Sequence, residues 1–269
     1  MMMKQMKQWL MVAAAAVVLC GMMTGCMGSA QRPVKGMIEE PIKHGDVPET
    51  VKNAMKIITQ IDDRFETVME DKTNKVAVYS MLKCSDTVSS EGYGVFVVKR
   101  DVKTALPLIR HGNMPRARYD AATGDLWIVG SDIEGTGVLA ECLYWIRFLP
   151  EGHAFIAGVL SPYEIQDAAC QMLTYSIKGQ DITFYSEGKE LVRVTNHIDD
   201  MGEFMDDAIC VGEQIAYSIE GPLTVHITPG LNFVTGKVLH YDDMPTFSGT
   251  VTINKGEKTF SLSELKVDK

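Results

Sequence analysis

Met172-Leu173-Thr174-Tyr175-Ser176-Ile177, Asp181-Ile182-Thr183-Phe184-Tyr185-Ser186 and Glu190-Leu191-Val192-Arg193-Val194-Thr195 decide the fold. The three runs are joined by Lys178-Gly179-Gln180 and Glu187-Gly188-Lys189. Each run is rich in β-branched and aromatic residues and tends to alternate apolar with polar positions. Successive side chains on a strand point to opposite faces, and glycine reaches the left-handed backbone that tight turns require. The stretch therefore predicts a three-stranded antiparallel meander.

The same pattern extends in both directions. Residues 76–82, 94–99, 125–130, 139–148 and 153–160 read as strands before the meander, and residues 214–219, 223–228, 237–241, 246–253 and 258–262 after it. Residues 116 and 118 lead into a further strand, and Asn254-Lys255-Gly256 marks another hairpin turn. Only Ser161-Pro162-Tyr163-Glu164 interrupts the series, with a capping box and a proline at the first helical position that predict a short helix over 162–170. Earlier in the chain, Val51, Met55, Ile58, Ile61, Phe65 and Val68 recur at steps of three and four. That spacing predicts one amphipathic helix over 48–70, its apolar stripe facing the core. The expected fold class is mainly β, built of antiparallel meanders behind one N-terminal helix.

Tyr175-Ser176-Ile177-Lys178-Gly179 is nearly repeated by Tyr217-Ser218-Ile219-Glu220-Gly221, and Tyr79-Ser80 and Tyr119-Asp120 open similar segments. Such spacing resembles that of β-propeller repeats, where each blade of four strands takes about 40 to 50 residues. The resemblance implies a propeller-like ring of blades. A β-sandwich or barrel whose hairpins share only their turn chemistry is the alternative.

Lys4 and Lys7 precede an apolar run over 9–19 that is too short to span a bilayer, for which about 20 residues are needed. The run ends at Met23-Thr24-Gly25-Cys26, which resembles the bacterial lipobox, with Met23 in place of the usual leucine. Leu19 before Cys20 is too bulky for a cleavage position, and an ordinary signal-peptidase site near 28–30 is the other reading. The resemblance implies a signal peptide over 1–25 and lipidation of Cys26 on its thiol and its amine, several chains together giving stable anchoring. Met27 stands where an inner-membrane retention signal would place aspartate, which favours the outer membrane. Residues 26–47, with Pro33, Gly36, Pro41 and Gly45 among charges, read as a tether to a domain over 48–269.

Without its first 25 residues the chain keeps 24 basic and 35 acidic residues, a net charge of −11. This balance, with no clustered basic face, argues against a nucleic-acid partner. Cys84, Cys142, Cys170 and Cys210 would allow two disulfides in an oxidising envelope, in any of three connectivities. Buried thiols are the alternative, Cys142 lying inside an apolar run.

Patterns of catalytic chemistry fail on context. Gly135-Thr136-Gly137-Val138-Leu139-Ala140 matches a dinucleotide-binding fingerprint, but a strand follows it where the fingerprint needs a helix. Ser80-Met81-Leu82-Lys83 matches a penicillin-recognising pattern, yet Ser80 reads as part of a strand and Lys-Thr-Gly is missing. No catalytic residue, cofactor or metal is assigned. Alternation places His226 with Thr224 and Thr228 on a polar face as an exposed histidine, with a metal site shared with His240, Asp242 and Asp243 as the alternative. Asp199, Asp200, Glu203, Asp206 and Asp207 lack the spacing of a calcium loop and read as a solvated segment. His111, Arg116 and Arg118 precede or enter one strand, and Asp132 and Glu134 sit in what reads as a glycine-rich loop just past the next. Opposite charges there would line a pocket for a polar or anionic ligand. The function expected is a lipid-anchored envelope module that binds a ligand, protein or glycan. The alternative is a glycan hydrolase or lyase using loop carboxylates such as Asp132 and Glu134.

Overall fold

The computed structural model describes residues 32–34, 66–80, 95–106, 108, 114–135, 138–179, 181–195, 209–231, 244–254 and 259–268. In chain order the strands are β1 (Arg32–Val34), β2 (Glu66–Asp71), β3 (Val76–Ser80), β4 (Val95–Lys99), β5 (Val102–Leu106), β6 (Arg116–Asp120), β7 (Asp125–Gly135), β8 (Val138–Phe148) and β9 (Ala154–Leu160). Helix α1 (Pro162–Met172) separates these from β10 (Leu173–Lys178), β11 (Asp181–Ser186), β12 (Lys189–Thr195), β13 (Ile209–Ser218), β14 (Thr224–Leu231), β15 (Phe247–Asn254), β16 (Thr259–Leu262) and β17 (Lys266–Val267).

The meander read from residues 172–195 is present as the sheet β10-β11-β12. Its second turn places both Glu187 (φ 50°) and Gly188 (φ 78°) in the left-handed region, the geometry that matches the twist of a tight hairpin. A second meander, β2-β3-β4-β5, forms a four-stranded sheet. The remaining strands make a ten-stranded sheet in the order β1-β16-β15-β14-β13-β8-β7-β6, with β9 paired to β8 and β17 to β15. The chain is thus mainly β and almost wholly antiparallel. The described strands form neither a closed barrel nor a set of equal blades, and the two Tyr-Ser-Ile-x-Gly copies fall in different sheets.

The β7–β8 hairpin is buried on both faces. Trp127, Val129, Leu143 and Trp145 belong to one core, with α1, the β10–β12 sheet and the strands from β13 onward. Leu126, Ile128, Cys142, Tyr144 and Ile146 belong to another, with Val78, Val95, Val97 and Leu106 of the four-stranded sheet. This follows from the sequence, since 142–146 is continuously apolar and a period of two then sends hydrophobes both ways. Trp127 and Trp145 are register partners with ring centroids 6.3 Å apart and planes 18° from parallel.

Strand β8 is also the branch point of the large sheet. One edge pairs with β7 along nearly its whole length. It also pairs with β9 from Leu143 to Phe148 and with β13 in parallel at one position, Ile215 opposite Ala140. Helix α1 starts where the capping signal places it. Its Glu164 accepts hydrogen bonds from the Ser161 N–H at 2.9 Å and the Ser161 hydroxyl at 3.0 Å.

Four expectations change. The helix expected over 48–70 gives way at its end to β2, where a register irregularity between Thr67 and Met69 lets the adjacent Val68 and Met69 both pack on the second core. Pairing with β3 overrides the local three-and-four spacing there, and residues 48–65 lie outside the described residues. Asp132 and Glu134, expected in a loop, fall within β7, which runs on to Gly135. Inside the stretch read as a tether, Arg32–Val34 form β1, antiparallel to β16 with Pro33 opposite Ser261. Neither Cys142 nor Cys170 joins a disulfide: Cys142 is a buried thiol in β8, the alternative its apolar run offered, and Cys170 an exposed thiol on α1. Cys84 and the side chain of Cys210 lie outside the described residues.

Gly249 on β15 has no room for a side chain. A Cβ there would come within 2.8 Å of Leu262 Cδ1 and 3.0 Å of Leu265 Cδ2, both side chains fully buried. Gly249→Ala is therefore expected to destabilise the domain by about 1 to 3 kcal/mol in denaturant unfolding. Leu262→Val in the same chain is expected to recover part of that loss, which a double-mutant cycle measures.

Candidate functional site

Arg116 and Arg118 stand two apart on β6 and so share one face of the strand. Their partners lie two strands away or more. Arg116 Nη2 donates to both carboxylate oxygens of Glu141 on β8, at 2.8 and 2.7 Å. Glu141 Oε2 also accepts the backbone N–H of Tyr217 on β13, at 2.7 Å. Arg118 Nη1 donates to the carbonyl of Gly221, just past the end of β13. The ion pair is half in and half out of solvent, with the Arg116 side chain 48% exposed and that of Glu141 12%. The two arginines thus fasten strands to one another. His111 and the side chains of Asp132 and Glu134 lie outside the described residues.

Tyr217 turns into the core, where its ring is fully buried and its hydroxyl has no hydrogen-bond partner among the described residues. Burial pushes the phenol well above its ordinary range, and the negative ends of Cys142, Glu164 and Glu141 add to the effect.

Ser218, the next residue, faces the other way. In the β13–β14 register Ser218 lies opposite Thr224 and Ala216 opposite His226, so Ser218 and His226 are diagonal neighbours on one face. Ser218 Oγ is 2.9 Å from His226 Nε2, and His226 Nδ1 is 2.7 Å from Asp268 Oδ2. A carboxylate only accepts hydrogen bonds, so Nδ1 carries the proton. In the neutral ring Nε2 is then the acceptor, and the Ser218 hydroxyl donates to it. Asp268 is fixed through its own backbone, whose N–H donates to the Thr246 carbonyl at 2.8 Å. Thr246 Oγ1 in turn lies 2.9 Å from Thr228 Oγ1. The side chains of His226 and Asp268 are each 31% exposed.

Both groups of contacts meet on five consecutive residues. Glu141 takes the N–H of Tyr217, His226 takes the hydroxyl of Ser218, and Arg118 takes the carbonyl of Gly221. A rigid strand end with an accessible hydroxyl–imidazole–carboxylate line can present polar groups to a ligand and can pass a proton.

His226 does share a strand face with Thr224 and Thr228, but in place of an exposed histidine the structure has a half-buried one with both ring nitrogens engaged. No group of three or more His, Cys, Asp or Glu side chains that could hold a metal occurs among the described residues. His240, Asp242, Asp243 and the acidic residues 199–207 lie outside them. The Gly135-to-Ala140 segment joins β7 to β8, two strands of one hairpin, so no helix receives a pyrophosphate there. Sequence reading missed Glu141, although it is the only charged residue between Val138 and Ile146. It also missed Ser218 and Asp268, which nothing in their neighbourhood links to His226. No helix among the described residues is long and apolar enough to cross a membrane. Comparison with family models, with curated proteins and with solved structures finds no match.

Glu141→Gln keeps the shape and removes the charge that Arg116 and the Tyr217 N–H share. It is expected to cost about 1 to 3 kcal/mol in denaturant unfolding. Tyr217→Phe deletes an unbonded buried hydroxyl and is expected to be neutral or mildly stabilising near pH 8. The folded phenol titrates above the unfolded one, so its contribution is intact below about pH 10 and is lost as pH rises further. Unfolding midpoints at about pH 8 and pH 11 are expected to fall less in Tyr217→Phe than in the wild type.

Proposed function

We propose that the chain is a lipid-anchored protein of the bacterial cell envelope, held in the outer membrane through Cys26, whose β domain binds a polar ligand such as a glycan or protein. What carries the anchor is the sequence itself: Lys4 and Lys7, a short apolar run over 9–19 and then Met23-Thr24-Gly25-Cys26, the order in which a lipoprotein signal places its basic, apolar and cleavage regions. The acidic surface sets nucleic acid aside as a partner.

Because the arginines at 116 and 118 make internal bonds, the ligand face in this reading is the strip formed by Ser218, His226, Thr228, Thr246 and Asp268. Hydroxyls, an imidazole and a carboxylate on a part-exposed strip suit hydroxyl-rich ligands, which bind through many directional hydrogen bonds.

Two measurements check the reading. Wild-type chain is expected to incorporate labelled palmitate and to sediment with membranes, while Cys26→Ala loses the label and the sedimentation. Soluble, unlabelled wild-type protein would remove the anchor. On an array of envelope glycans, detergent-solubilised wild-type chain is expected to bind, with His226→Ala losing at least about tenfold in affinity, the scale of one charged or polar hydrogen bond.

A further inference from the structure

We propose that Ser218, His226 and Asp268 form an acyl-transfer site that hydrolyses a carboxylic ester with a short acyl group. The proposal rests on the reading of their strip as the ligand face and adds chemistry to it. A serine becomes a nucleophile when a base accepts its proton and a third group holds that base in the correct tautomer. Each requirement is present. The 2.9 Å contact sets the hydroxyl on Nε2, the 2.7 Å contact sets the carboxylate on Nδ1, and both engage one ring. Three separate segments supply the groups: the end of β13, the middle of β14 and the chain beyond β17. A surface serine or carboxylate needs no such partner for stability, because water satisfies it. The His226 and Asp268 side chains are each 31% exposed, while the Thr246 carbonyl holds the Asp268 backbone and Arg118 holds the Gly221 carbonyl three residues past Ser218.

Ser218 Oγ attacks the ester carbonyl and its proton passes to His226 Nε2. The new Oγ–carbon bond forms, the carbon–alkoxide bond breaks, and Nε2 returns the proton to the departing alcohol. Water then attacks the acyl-serine with His226 again taking a proton, which releases the carboxylic acid and restores Ser218. Asp268 stabilises the imidazolium in both halves and stays ionised. A strip laid across an open sheet offers contact to a small acyl group such as acetyl, and the leaving alcohol is the polar ligand itself.

The test uses the full chain solubilised in mild detergent, with a fluorescent fluorophosphonate as the covalent probe and p-nitrophenyl acetate as the substrate. Wild-type protein is expected to carry the label on the peptide containing Ser218, located by mass spectrometry. Labelling and hydrolysis are expected to fall by at least about 10³-fold in Ser218→Ala and His226→Ala, and hydrolysis by about 10² to 10⁴ in Asp268→Asn. Circular dichroism confirms that each variant is folded. Folded wild-type protein without label on Ser218 overturns the proposal, whatever the variants do. So does label that persists undiminished in His226→Ala, or ester hydrolysis equal in wild type and Ser218→Ala. Glycan binding and membrane sedimentation are read separately, so loss of the esterase leaves the anchor and ligand face standing.

Discussion

One carboxylate joins the two halves of the large sheet. Glu141 lies on β8, receives the guanidinium of Arg116 from β6, two strands away on one side, and the N–H of Tyr217 from β13, the adjacent strand on the other. Backbone pairing between β8 and β13 amounts to a single parallel position. A charged acceptor at 2.7 Å from a backbone N–H is roughly twice as strong as a neutral one, so it extends a ladder too short to hold by itself. That junction adds to the core the strands from β13 to β16 share with β7, β8 and α1. The register of β13 sets where Ser218 meets His226, and hence the geometry of the polar strip.

Much of the β architecture was legible because its signals are local. Period-two runs with glycine at the turns mark β10 to β12, and the structure places those strands within a residue or so of their expected limits. The Ser161-Pro162-x-Glu164 cap is equally local, and α1 begins there. Legibility failed where pairing partners are distant. β2 carries helical spacing, and only its register against β3 makes it a strand. β1 holds a proline within a charged, irregular stretch, and its partner β16 lies more than two hundred residues away. Sheet order was equally hidden, since the Tyr-Ser-Ile-x-Gly copies share turn chemistry without sharing a sheet.

The candidate site shows the same division. Arg116 and Arg118 were visible as charges entering a strand and His226 as part of a polar strand face, and each does make a specific contact. Their partners were not visible: Glu141 for Arg116, the Gly221 carbonyl for Arg118, Ser218 and Asp268 for His226. A serine in a strand and an aspartate near the end of a chain carry no signal of their own. They acquire meaning only when the fold sets them on opposite sides of one imidazole. The charges at 116 and 118, read as a pocket, are taken up by the scaffold, and the Ser218–His226–Asp268 strip lies on the far side of β8, on β13, β14 and the chain beyond β17.

The β7–β8 hairpin, walled in by a core on each side, has a consequence for descent. Most strands of a sheet keep one face on which substitutions accumulate at little cost. Positions 126 to 129 and 142 to 146 have no such face, because odd positions meet one core and even positions the other. Lineages that separated long ago would keep volume and polarity in this hairpin after their loops and outer strands had drifted beyond recognition. The pattern of two tryptophans opposed across one register, with a lone glutamate ahead of the second, is the trace by which distant kin of this chain would still be known.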